Sequence, residues 1–302
     1  MDNSQVRAKA KKKIDGELIF CLLVIALPVI QFIVFYIAVN FSSILLAFQK
    51  FNGDLAETKY SFAGLENFQR LWTDLTQTTN LLEALKNSLI TWFFTSVVGI
   101  TIAVIFSYYI YKKGFLGSLF KLVLFLPSIL PAILLVAIFQ ISMDTILPEI
   151  LGINPIFVLG ENTAFSAALF FTVWFGFGTQ VLLYSGSMSQ IDPSVMEAAK
   201  LDGASPMVEL FKIVVPEIVP AISTFLIAGI ATIFTNQANL FGFHSVHALD
   251  YNGEYTIGYF MYAMVQKSEN NYAYVSAIGL CCTAIALPLT YLVKKVLAKV
   301  DD

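Results

Sequence analysis

The sequence predicts an all-α membrane protein of six transmembrane helices with both termini in the cytoplasm. Three observations lead there. The composition is too apolar for water: 57% of the 302 residues are hydrophobic and 13% charged, with Phe alone counting 27. Soluble domains hold about 45–50% apolar and about 25% charged residues. The apolar stretches far exceed the roughly ten residues of a barrel strand, and hydrocarbon admits only helices and closed barrels. Finally, the charges punctuate the chain at intervals of one membrane span. The same composition excludes a disordered chain, a nucleic-acid binder built on a basic patch and a collagen-like or coiled-coil rod. The net charge of −3 selects no partner.

No Asp, Glu, Lys or Arg falls between Leu18 and Gln49. The same holds for Asn87 to Tyr111, Leu122 to Met143, Asn162 to Ile191, Ile218 to Leu249, and Asn270 to Val293. About 20 apolar residues cross a bilayer. Spans are therefore expected at about 18–48, 87–111, 115–143, 163–187, 217–243 and 271–293, within one embedded domain covering 18–302. The first run is longer than a crossing needs, and Pro28 is a place for a bend. Its apolar core exceeds that of a secretory signal, and no small-residue cleavage site follows, so it reads as retained. Residues 1–17 form a basic cytoplasmic segment. Of the 18 Lys and Arg residues, this orientation puts 13 inside and five outside, as the positive-inside rule requires.

Outer connections run from about Lys50 to Lys86, with turn signals at Asn52-Gly53 and Ala63-Gly64, from Asp144 to Glu161, and from about Asp250 to Glu269. Inside, Lys112-Lys113-Gly114 is short. The loop at about 189–216 is the longest on that side, and it carries its own helical punctuation. Asp192 caps a helix with Pro193 at its first position, where a missing N–H costs nothing. That helix runs through Met196 to Lys200, and Gly203 suits a left-handed C-terminal turn. Ser205-Pro206 repeats the device before a second short helix over Val208 to Val214, which Pro216 ends. A compact helix–turn–helix is expected.

The string Glu197-Ala198-Ala199, Asp202-Gly203-Ala204, then Ile213 and Pro216, resembles the EAA loop of bacterial ABC-importer permeases of the binding-protein-dependent, maltose/multiple-sugar type. Phe62-Ala63-Gly64-Leu65-Glu66-Asn67-Phe68, Leu85-Lys86-Asn87-Ser88 and Leu126-Pro127 agree, and the resemblance covers Leu18 to Lys295. Val215 stands where the family usually has Leu. Phe241-Gly242-Phe243-His244 stands where a Gly-Gly-Pro turn is common after the fifth span.

The resemblance implies a multi-pass permease of the bacterial cell membrane, not an enzyme. It implies a second homologous permease, two ATPase subunits that carry the ATP and Mg, and an extracellular solute-binding protein facing the loops around Asn67 and Asn252. No cofactor is expected on this chain. It places Glu197, Ala198, Ala199, Asp202, Gly203 and Ala204 in a coupling helix docked on the ATPase. The residue types suit that role. The alanines permit close approach, Glu197 offers a carboxylate for a bidentate Arg, and Gly203 permits the turn. A hairpin lying on lipid headgroups would favour Lys, Arg and bulky apolar residues instead.

Enzymatic chemistry finds little support. There is no G-x-x-x-x-G-K-[ST] phosphate loop. His244, His247 and Asp250 are too few for a metal centre. Cys21, Cys281 and Cys282 read as small buried hydrophobes. A secondary transporter would show ionisable residues within the membrane and paired repeats, and a scaffold or insertase would not need the EAA-like loop. For the solute path, Thr232, Thr235, Asn236 and Asn239 recur at i, i+3, i+4 and i+7, one face of a continuous helix, with Gln237 pointing elsewhere. Span four offers Thr172, Thr179 and Gln180, with Trp174 and Tyr184 nearby. Amides and aromatic faces suit a sugar, as does the family resembled. An anionic solute such as a glycerol phosphate would favour Lys or Arg in the path. The competing reading is interhelical glue.

Overall fold

The computed structural model describes residues 16–53, 59–77, 79–152, 164–244 and 255–301. The basic stretch 1–15 and the residues Glu161, His247, Asp250 and Asn252 lie outside them. The chain is a bundle of membrane-length helices with a small β-hairpin at one end and the helices of residues 193–217 at the other.

Span one is helical throughout, as Gly16–Gln31, a π-helical stretch Phe32–Ala38, and Val39–Leu46. Pro28 lies inside the helix, and the distortion follows it. None of the 18-residue window that marks this span is buried against the rest of the chain. Cys21 is correspondingly exposed there rather than in a protein core. The hairpin pairs β1 (Gln49–Phe51) with β2 (Tyr60–Phe62), Lys50 opposite Ser61. Asn67, on the helix Glu66–Gln77, donates to the carbonyls of Ala47 and Gln49 and ties the hairpin down.

Span two begins at Thr79, earlier than the charge pattern predicts. It runs through a π-helical stretch at Phe94–Val98 to Tyr111. Glu83 and Lys86 stop a charge count but not a helix, since both are exposed. Span three is not one helix. Gly117–Phe125 and a 3₁₀ turn Leu126–Ile129 precede a break, and the helix resumes as Ala132–Leu151, running past Asp144 where the charge pattern expects a loop. Pro131 supplies the reason: Leu130 before it is extended at ψ 148°, as the proline ring demands. Span four, Ala164–Met188, is continuous.

Span five departs most from expectation. The second helix of the long loop runs from Pro206 to Glu217, bends by 69° and continues as Val219–Ala231. The helix then ends. Residues 232–235 and 238–239 are turns with irregular chain between them, Ala238 and Asn239 have φ of 51° and 56°, and a short helix Leu240–His244 follows. A helix Ile257–Lys267, capped by Thr256, occupies what the charge pattern reads as a loop. Span six is Tyr272–Asp301.

Two buried clusters hold the bundle. One includes Leu71, Leu81, Phe171, Leu240, Phe243, Tyr255, Tyr259 and Tyr274, toward the hairpin end. The other joins Ile100, Val104, Phe177 and Tyr184 to Met196, Leu210 and Val214. The long loop is thus packed into the bundle.

Candidate functional site

The loop starts and turns its helices where its punctuation predicts, but Pro216 does not end the second one, which runs on to Glu217. The Asp192 carboxylate accepts from the Ser194 N–H at 2.9 Å at the start of Pro193–Leu201. That bond holds its carboxyl below the usual carboxylate range. Gly203 has φ +72°, its N–H bonds to the Lys200 carbonyl at 3.1 Å, and the Ala204 N–H bonds to the Ala199 carbonyl at 3.0 Å. This pair of bonds is the Schellman closure of a helix. The Ser205 hydroxyl accepts from the Val208 N–H at the next start.

The helix divides the EAA string between two faces. Ala199 and Met196 are buried in the chain's own core, whereas Glu197, Ala198, Lys200, Asp202 and Gly203 face outward and Ala204 is half-buried. A turn of about 100° per residue cannot give Ala198 and Ala199 the same surroundings. Leu201, Met207 and Phe211 are 89%, 68% and 62% exposed on the same loop. This apolar rim was not singled out by sequence reasoning. Neither was Glu209, which is buried.

The second cluster of site residues gathers at the break in span five, in a different arrangement from the one predicted. Because the helix ends at Ala231, residues 232, 235, 236 and 239 do not form one helical face. Thr232 bonds back to the Ala228 carbonyl and is exposed. The Asn236 amide oxygen accepts from the Ala238 N–H at 2.9 Å, closing a local turn, as Asn does where it competes with helix. Asn239 reaches span four, donating to the Thr172 hydroxyl at 3.0 Å. Trp174 packs on Phe171 at 5.8 Å. The Gln180 amide oxygen and the Tyr184 hydroxyl are buried without a hydrogen bond among the described residues. Thr179 is exposed.

The turn at 232–239 is held from the side by the helix Ile257–Lys267. The Thr256 hydroxyl donates to the Asn236 carbonyl at 2.8 Å. Gly258 lies so close that a Cβ there would sit 2.5 Å from the Thr235 carbonyl oxygen, so only glycine fits. Two cavities open on the turn. One of about 730 Å³ is lined by Thr235, Gln237, Asn40, Ser43 and residues of span six. The other, of about 400 Å³, is lined by Asn236, Gln237, Asn239 and Ala132. Gln237, set aside on helical periodicity, lines both. No Asp, Glu, Lys or Arg lines either cavity among the described residues. The site can exchange hydrogen bonds with a neutral polar solute and offers no charge to an ion.

Comparison with known proteins fixes the class. The profile of the family described as binding-protein-dependent transport system inner membrane component matches residues 96–301. The chain belongs to this family and is a multi-pass membrane subunit of such a transport system. It is 29% identical over 234 residues to a probable ABC transporter permease protein of Mycoplasma pneumoniae, covering 74% of this chain and 69% of the relative. It is 26% identical over 263 residues to the multiple sugar-binding transport system permease protein MsmF of Streptococcus mutans, covering 84% and 86%. A chain of a bacterial alginate ABC transporter, solved in complex with alginate pentasaccharide-bound periplasmic protein, matches with a TM-score of 0.74 at 18% identity, over 94% of this chain and 96% of that one. That likeness establishes the fold. Family membership sets aside the secondary-transporter and scaffold readings.

Proposed function

We propose that this chain forms half of the translocation path of an ATP-driven importer for a neutral sugar or oligosaccharide. A second permease completes the path, two ATPase subunits bind ATP and Mg, and an external binding protein delivers the solute. The termini and the 193–217 helices face the cytoplasm in this reading. The outward side of Pro193–Leu201, with Glu197, Ala198 and Asp202, docks on the ATPase.

The observation that carries the substrate class is the break in span five. Its amides and hydroxyls face two cavities without a charged side chain. Polar groups at membrane depth are retained where they are paired or line a wet cavity, and uncharged donors and acceptors suit hydroxyl groups. The multiple-sugar name of one relative points the same way. The test is uptake across a panel of labelled neutral mono- and oligosaccharides, with glycerol 3-phosphate as the anionic comparison. Uptake of a neutral sugar is expected, and Asn236→Ala with Asn239→Ala should abolish it in an assembled complex. Exclusive uptake of the phosphate, or unchanged sugar uptake by the double variant, refutes the assignment.

A further inference from the structure

Glu209 is the one carboxylate side chain of the described residues that is fully buried, with 5% of its side chain exposed. Lys112 meets it from the end of span two, its ammonium 2.6 Å from Oε1 and 2.9 Å from Oε2. The two residues are 97 apart in sequence. Beside them the Tyr108 hydroxyl donates to the Pro206 carbonyl at 3.2 Å, and the ammonium lies 5.8 Å from the Tyr108 ring. Lys112 also caps the helix Gly99–Tyr111, where its charge suits the exposed carbonyls.

Stability alone does not call for such a pair, because well-packed apolar side chains serve as well or better. The ammonium donates to both carboxylate oxygens, and pulling it away would leave a buried carboxylate without its counter-charge, which is costly. The two ends therefore stay joined when either moves. What it joins matters here. Span two, at its far end, holds the segment that supports the break in span five. The Asn87 amide donates to the Tyr255 carbonyl at 3.2 Å, and the Ser88 hydroxyl accepts from the Ile257 N–H at 2.9 Å. Thr256, between them, donates to Asn236. A continuous path of bonded groups therefore runs from the long loop through Glu209, Lys112 and span two to the break.

We propose that Lys112 and Glu209 form a strut that makes span two move with the coupling loop, so that a displacement of the loop reaches the break in span five by a second route besides the chain itself. The two are positioning residues, and the proposal rests on the ATP-driven reading above. The test uses the complex purified with its ATPase partners and reconstituted in liposomes. Cys21, Cys281 and Cys282 are replaced by Ala, and Ala132→Cys places a reporter in the cavity at the break. The probe is the rate at which a membrane-impermeant maleimide labels that cysteine, with and without ATP and vanadate.

The parent complex is expected to show an ATP-dependent change in labelling. Glu209→Gln and Lys112→Met should each largely abolish that change in complexes that remain assembled and hydrolyse ATP. The charge swap Lys112→Glu with Glu209→Lys should restore it, which shows that the effect runs through the pair; retained assembly and ATP hydrolysis in the single variants separate loss of the strut from loss of the fold. Single variants that respond like the parent, or a swap as defective as the singles in an assembled complex, overturn the strut. No ATP-dependent change in the parent overturns the ATP-driven reading itself and the strut with it.

Discussion

Replacing Gly203 separates the folding of the coupling loop from its docking. At φ +72° the residue lies in the left-handed region, yet a Cβ built there meets nothing within 4 Å. The cost of alanine within this chain is therefore conformational only, about 1–2 kcal/mol. That corresponds to roughly a 5–30-fold rise in the population with the turn open. Asp tolerates the left-handed region better than Ala, because its side chain can bond locally. Hydrogen exchange at the amides of Gly203 and Ala204, which close the turn on Lys200 and Ala199, reports that opening directly. At position 203 exchange should accelerate more for Gly203→Ala than for Gly203→Asp.

Uptake should rank the two the other way. Gly203 is exposed beside Asp202, past the end of the helix that carries Glu197, on the side assigned to the ATPase. A methyl group leaves that face nearly unchanged, whereas a second carboxylate next to Asp202 adds charge and bulk to it. Gly203→Asp is therefore expected to fold better and transport worse. If both variants rank the same way in exchange and in uptake, the loop acts only through its own stability, and the docking assignment fails.

Two further outcomes follow from the same geometry. With the native cysteines replaced, Thr73→Cys on the exposed face of Glu66–Gln77 should react with an impermeant maleimide added outside intact cells, and Ser205→Cys should not; the opposite pattern inverts the orientation. Purification of the tagged chain from its own membranes should bring down a second, non-identical permease and two copies of an ATPase subunit. A complex with two copies of this chain and no other permease contradicts the heterodimer.

Much of the fold was legible because its signals are local. Asp192, Pro193, Gly203 and Ser205 each specify a cap or a turn by their own chemistry, and each does so in the structure. Spans four and six were read from charge-free runs, since a charge in hydrocarbon is costly whatever surrounds it. The misses arose where polarity and helicity diverge. Thr232, Asn236 and Asn239 are uncharged, so a charge count runs through them. Whether they continue the helix depends on Thr256 and Gly258, which come from elsewhere in the chain. The helix Ile257–Lys267 was hidden in the same way, taken for loop because Asp250 and Glu269 bracket it. Its Thr256 cap was a visible signal. The pairing of Lys112 with Glu209 had no such signal, since only the tertiary packing brings them together.

The break lies where span five leaves one buried cluster for the other. Ile218, Ala221, Ile222, Phe225 and Leu226 pack with the cluster that contains the coupling loop. Ile233, Phe234, Ala238, Leu240 and Phe243 pack with the other. Spans two and four also pass from one cluster to the other and stay helical as they do; span five stops being a helix where it crosses. Span four, unbroken, joins the two clusters, so the irregular stretch 232–239 can absorb only a local change of direction within span five, as hinge segments do. Such a segment exposes backbone groups that hydrocarbon cannot satisfy, and side chains meet that need: Asn236 serves the Ala238 N–H and Thr256 serves the Asn236 carbonyl. The polar residues are therefore required by the break before any solute is considered. The same requirement opens the cavities onto amides and hydroxyls. Path and glue are not exclusive at this position. Asn239 bonds to Thr172 and lines a cavity at once, and a hinge at this depth places hydrogen-bonding groups beside the cavity where a neutral solute would pass.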